Sequence, residues 1–168
     1  PVQRTGTVRI GLGDKSDGIY LARFEGHAAN HLSHSIGARL AASLWAVGKA
    51  RPAKLDNEDV DLFYHGITQV PVLTEYSLDS VSALKTELVT VRQQGFALEN
   101  QESALGVVCL GIAVPSRGIN GPKLGVSVSS VTVTFDQKRK DSLLSELDAL
   151  AALLGNPLHT RIDIQPQD

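Results

Sequence analysis

"SVSALKTELVTVRQQGFALENQESALGVVCLGIAVP", residues 80–115, changes its hydrophobic period part-way along. Up to Gly95 the apolar positions Val81, Leu84, Leu88 and Val91 recur three and four apart, the spacing of one helix face. Asp79 or Ser80 can cap the start of that helix and Gly95 can stop it. Beyond Gly95, "FALEN" and "GVVCLGIAVP" are short, apolar and closed by Pro115, as strands are. A helix followed by two consecutive strands is the grammar of an α+β domain rather than of a doubly wound sheet.

Working outward, "TGTVRIGLGD" alternates through Val8 and Ile10, and "GIYLARFEG" alternates with Ile19, Leu21 and Phe24 as candidate inward residues. The charged "DKSD" between them makes a hairpin. "NHLSHSIG" is a candidate third strand. "LAASLWAVGKA" is apolar on nearly every side and predicts a short buried helix. "LDNEDVDLFYHG" predicts another, with Asp56 or Asn57 as cap, acidic residues in the first turn and Gly66 at the end. After Pro115, "RGINGPK" is a turn and "LGVSVSSVTVTF" a strand. "KDSLLSELDALAALLGNP" is an amphipathic helix, and the tail "LHTRIDIQPQD" is expected to be loose. The order β-β-β-α-α-α-β-β-β-α implies an antiparallel sheet with helices packed on it.

The whole chain limits the function classes. Its 168 residues suit one domain with a real core. A formal charge of −2 offers no basic face for nucleic acid, and the short Lys138–Arg139–Lys140 run between Asp136 and Asp141 fits a solvated helix start. The single cysteine makes no internal disulfide, and no apolar run approaches a membrane span. The first residues lack the pattern of a signal peptide, so a cytoplasmic location is expected. The chain has no methionine and starts at Pro1, so an additional preceding part is expected.

Few residues carry obvious chemistry. Cys109 lies among Val107, Val108, Leu110 and Ile112, where a thiol is expected to be inert packing or a pocket wall rather than a nucleophile. His27, His31 and His34 are spaced four and three apart, as a metal site on one helix face would need, but Gly26 and Asn30 disfavour that helix. The Gly-rich "GLGDKSDG" and "VGKARPA" lack nucleotide-loop patterns. In "GVSVSSVTV" Ser127 and Ser129 share one strand face, with Val126 and Val128 on the other. Buried hydroxyls need partners, so either solvent or a small-molecule pocket covers them.

Taken together, "TGTVRIG", "GIYLARFEG", "IGARLAASLWAVGKA", "LKTELVTVRQQGFALENQESALGVVCLGIAVP" and "LGVSVSS" resemble the effector-binding domain of IclR-type bacterial transcriptional regulators, from about residue 4 to 155. The resemblance implies a GAF-like domain with a curved antiparallel sheet of about six strands. It implies that residues 1–168 form a single effector-binding domain, with a winged helix-turn-helix DNA-binding domain outside this chain. A small organic acid, aromatic acids included, would bind and shift a homodimer or tetramer, changing DNA affinity. No enzyme activity and no cofactor are implied. Carried onto this sequence, the pocket falls on Ala29, Leu32 and Leu40 as apolar wall, and on the backbone of Ala46 and Val47 as carboxylate receivers. Glu99, Cys109, Ser127 and Ser129 would be its polar contacts, with Val107 beside them. The sequence departs from the family at Ala41, Ser43 and Trp45, where a proline, a histidine and a small polar residue are usual. Glu99 stands where the best-known members have aspartate. Trp45 can fill space in the pocket or stack on an aromatic ligand. The other readings from the residues alone are an enzyme using Cys109 or the serine pair, and a metal sensor using the three histidines.

Overall fold

A computed structural model describes residues 6–14, 17–25, 36–115 and 123–155. Six strands form one antiparallel sheet: β1 (Thr7–Asp14), β2 (Asp17–Glu25), β3 (Arg39–Ala41), β4 (Ala97–Asn100), β5 (Val107–Ala113) and β6 (Leu124–Val131). Their spatial order is β3-β2-β1-β6-β5-β4, which joins the first and last groups of strands through the β1–β6 pair. The helices are α1 (Ala46–Ala50), α2 (Asn57–Phe63), α3 (Val81–Gln94) and α4 (Gln137–Gly155). This is the α+β architecture that the sequence predicts.

The sheet is covered on both sides. One face carries Val8, Ile10, Leu98, Leu110, Ile112, Val126 and Val128, and α4 buries Leu143, Leu147 and Ala151 against it. Each fully buried leucine, isoleucine or valine among them contributes about 1.5–3 kcal/mol of gross burial energy. The leucine ridge of α4, with Leu144, Leu150 and Leu154 partly buried at its sides, is thus used within the chain. The opposite face receives α1, and α2 and α3 pack beyond it through Val60, Tyr64, Val81, Leu84, Leu88 and Val91.

Local signals place the helices. Asp56 accepts a hydrogen bond from Asp59 N at 2.8 Å and caps α2, while Ser80 accepts from Ala83 N at 3.2 Å and caps α3. Gly95 ends α3 with φ 85°, a left-handed conformation that suits glycine. Asp136 accepts from Arg139 N at 2.7 Å at the start of α4, so the Lys138–Lys140 run is a capped helix start.

Two expectations need correction. The predicted helix over residues 40–50 is interrupted: Ala42–Leu44 make a 3₁₀ turn, Trp45 is extended (φ −146°, ψ 148°), and only then does α1 begin. Helical propensity is a weak prior, and all of 42–50 is buried against the sheet, so packing decides its path. In β2, Leu21 and Phe24 are 45% and 59% exposed, while Tyr20 is buried. The register shifts between Ile10 and Gly11, which resets the alternation between β1 and β2. Among the described residues the third strand is Arg39–Ala41. Most of "NHLSHSIG", the "RGINGPK" turn and the tail beyond Gly155 lie outside the described residues.

Candidate functional site

The face under α1 differs from the α4 face in kind. Strand pairing places Glu99, Cys109, Ser129 and Thr7 in one row across β4, β5, β6 and β1. The next row holds Ala97, Gly111, Ser127 and Arg9. Paired residues share a face, so the serine parity read from "GVSVSS" puts both hydroxyls beside the thiol and the carboxylate. Glycines complete this face. A Cβ at Gly111 would lie 2.8 Å from Val47 N, and one at Gly125 2.5 Å from Val47 Cγ1. The absence of those side chains lets α1 lie on the strand backbones.

Between this face, Trp45 and the β4–β5 turn is a small cavity of about 30 Å³. Arg9, Tyr20, Leu40, Leu44, Trp45, Glu99, Ser103, Ala104, Val107, Cys109 and Ser129 line it. It has room for about two waters. Leu40, Trp45, Glu99, Val107, Cys109 and Ser129 therefore meet around one void. Ser127 is buried one row over, and Ala46 and Val47 rest on Gly111 and Gly125 instead of lining the void. Ala29, Leu32, His27, His31 and His34 fall outside the described residues.

Arg9 is the residue that sequence reasoning missed. It is 3% exposed, and its Nη1 donates to Ser129 Oγ. Its guanidinium also lies over the Tyr20 ring, 5.4 Å from the centroid, and its buried Nε has no partner among the described residues. The available signal was parity: Arg9 shares the face of Thr7 and Gly11, opposite Val8 and Ile10. Glu99 is fully buried; its Oε1 accepts from Ser103 N at 2.9 Å and Ser103 Oγ at 3.2 Å. Its Oε2 is buried without a partner among the described residues, as is Trp45 Nε1. Cys109 Sγ and Ser129 Oγ are 3.1 Å apart. Burial pushes the Cys109 thiol well above its usual range, and the nearby Glu99 charge adds to this. Burial likewise raises the Tyr20 hydroxyl, against the opposing effect of Arg9.

The turn that closes the cavity is held from several sides. Gln101 adopts φ 62°, and its side chain accepts from Gly106 N at 3.0 Å. Thr74 Oγ1 donates to Gln101 O at 2.7 Å, and Ser77 Oγ to Glu102 O at 2.6 Å. Lys49 of α1, fully buried, donates to Glu102 Oε1 at 2.7 Å, to Glu102 Oε2 at 3.0 Å and to Leu98 O at 2.7 Å. Burial raises the Glu102 carboxyl above its ordinary value, outweighing the attraction of Lys49.

A second, open groove of about 270 Å³ runs between α2 and α3 past Asn57, Lys85 and Arg92. Arg92 is already committed there, donating to Ala53 O and Leu55 O at 2.9 Å each. Among the described residues no cluster of His, Cys, Asp and Glu could hold a metal, and no helix is long and apolar enough to cross a membrane.

The family pattern described as "Bacterial transcriptional regulator IclR C-terminal" matches residues 3–155. The chain belongs to this family. XynR, an HTH-type transcriptional regulator of Escherichia coli K12, is 31% identical over 92% of the chain. The solved C-terminal domain of E. coli KdgR superposes with a TM-score of 0.76 at 26% identity, covering 88% of this chain and 84% of that one. The inducer-binding domain of Acinetobacter PobR, solved as a double mutant in complex with 3-hydroxybenzoic acid, gives 0.76 at 26% identity, with 92% and 90% covered. The chain spans 63% of the length of XynR and 54% of that of E. coli KdgR. It is the ligand-binding domain of an IclR-family transcriptional regulator. The relatives are regulators of transcription, not enzymes.

Proposed function

We propose that the cavity between Arg9, Glu99 and Cys109 receives a small organic acid bearing a hydroxyl group, and that its occupancy alters how the full-length regulator binds DNA. The observation that carries this reading is the buried Arg9. A guanidinium offers five donors in a fixed fork that matches a carboxylate, and one of Arg9's buried donors, Nε, has no partner among the described residues. Ser129 adds a hydroxyl beside it. Glu99 Oε2 is an unused acceptor on the same void and suits a hydroxyl on the ligand. A second carboxylate there would be repelled. PobR's bound 3-hydroxybenzoic acid combines the same two functions. Arg9 replaces the backbone of Ala46 and Val47 as the carboxylate receiver, because α1 is one short turn pressed against the sheet.

A sensing role fits Cys109 better than catalysis, since its thiol is held protonated and the described residues around the void include no histidine. The wider reading is of a cytoplasmic homodimer or tetramer that reaches DNA through an N-terminal winged helix-turn-helix domain outside residues 1–168. Support for self-association comes from the exposed Leu62, Val72, Leu73 and Tyr76, since the α4 ridge is used internally.

The test is a thermal-shift screen of hydroxy acids on the wild type and on Arg9→Gln. A ligand at a hundredfold its Kd stabilises the native state by about 2.7 kcal/mol. Arg9→Gln is expected to abolish that shift while circular dichroism shows the fold retained. A full shift in the variant would refute the assignment.

A further inference from the structure

We infer that Trp45 sets the size limit of the effector, so that this domain takes a compact acid and excludes benzoate-sized ones. The inference rests on the cavity assignment above. The Trp45 indole is 3% exposed and occupies space that three glycines leave open. A Cβ on Gly18 would lie 1.7 Å from Cζ2, one on Gly11 2.5 Å from Cη2, and one on Gly48 2.3 Å from Nε1. The Tyr20 ring meets it edge-on, with centroids 4.8 Å apart at 75°. The indole is thus a plug fitted by shape, and its Nε1 has no hydrogen-bond partner among the described residues.

Around that plug stand more polar groups than the remaining void can satisfy with a large ligand. About 30 Å³ is far below the roughly 300–1,000 Å³ of sites that enclose drug-sized molecules. Arg9, Glu99 and Trp45, each with a buried polar atom that has no partner among the described residues, nevertheless all line it. A two- or three-carbon hydroxy acid brings a carboxylate for Arg9 and a hydroxyl for Glu99 with little further volume. An aromatic ring needs the space that the indole fills. Protein interiors resist such insertion, because overpacking forces neighbours off their rotamers.

Isothermal titration of glycolate, lactate and 3-hydroxybenzoate into wild type, Trp45→Phe, Trp45→Ala and Arg9→Gln tests this. Wild type is expected to bind glycolate at least about tenfold more tightly than 3-hydroxybenzoate, the scale on which pockets discriminate by size. Trp45→Ala is expected to reverse that order and Trp45→Phe to narrow it. Trp45 is the only tryptophan of the chain, so its emission in the unaltered protein should change as glycolate binds. Tighter wild-type binding of 3-hydroxybenzoate than of glycolate overturns the size limit, even if the alanine variant fails to fold. So does an unchanged order in Trp45→Phe and Trp45→Ala while Arg9→Gln loses all binding; the cavity assignment then survives alone. Undiminished glycolate binding by Arg9→Gln instead overturns the cavity assignment, and the size limit with it.

Discussion

The two faces of the sheet are built from the same strands and obey different rules. Toward α4, residues such as Leu110, Ile112, Val126 and Val128 form a continuous apolar layer. Toward α1, the same strands present Arg9, Glu99, Cys109, Ser127 and Ser129 between glycines, and Arg9 Nε and Glu99 Oε2 are left without partners among the described residues. A buried polar group without a partner is costly, and a protein tolerates it where a ligand completes it. One face specifies the fold; the other is where we propose that the ligand binds.

The largest expected effect comes from the polar side. Lys49→Met leaves Glu102 buried without its main cation and is expected to destabilise the domain by about 3–5 kcal/mol, measured by urea denaturation. Adding Glu102→Leu removes the stranded charge and should restore most of the loss. If it does not, the hydrogen bond from Lys49 to Leu98 O rather than the ion pair with Glu102 holds α1 to β4.

On the apolar side Leu110→Ala should cost about 2–5 kcal/mol through lost contacts and a cavity, without changing the affinity for any ligand of the other face. A changed affinity would break the division between the faces. Ser129→Ala removes the acceptor used by Arg9 Nη1 and is expected to cost about 1–3 kcal/mol, less when a carboxylate is bound. Equal losses with and without ligand would mean that Arg9 takes no part in binding.

The smallest effect is one of slope. Because burial raises the Glu102 carboxyl, the folded state takes up that proton at a higher pH than the unfolded chain does. Stability from this group therefore grows as pH falls through the raised value, and levels off below the ordinary glutamate pKa of about 4.3. Compared with Glu102→Gln, the wild type should gain stability as pH is lowered from 7 toward that value. Parallel curves would show that Lys49 holds the carboxyl at its ordinary value.

Much of this was legible in the sequence where one period acts alone. The 3, 4 spacing of Leu84, Leu88 and Val91 gave α3 its buried face, and the alternation of Val126, Ser127, Val128 and Ser129 gave β6 its two faces. Arg9 was illegible because a charged residue in an alternating hairpin reads as solvent-facing; its burial depends on a helix forty residues away in the chain. Trp45 was misread because an Ala-rich apolar segment suits a helix, while contact with the sheet decides its path. Leu21 was misplaced because a register shift, which skips it between the partners of Ile10 and Gly11, leaves no mark in the residue pattern.

The glycines under α1 have a genetic consequence. Gly11, Gly18, Gly111 and Gly125, one from each of four strands, set the height of α1 and of the Trp45 ring by lacking side chains. Every one-base change that alters a glycine codon's meaning adds a Cβ or ends the chain. At Gly18 that carbon would fall 1.7 Å from the indole, and at Gly111 2.6 Å from the backbone of Ala46. These positions have no conservative neighbour one mutation away. At Gly11 and Gly18 a change at residue 45 would have to come first, because the nearest obstacle there is the indole itself.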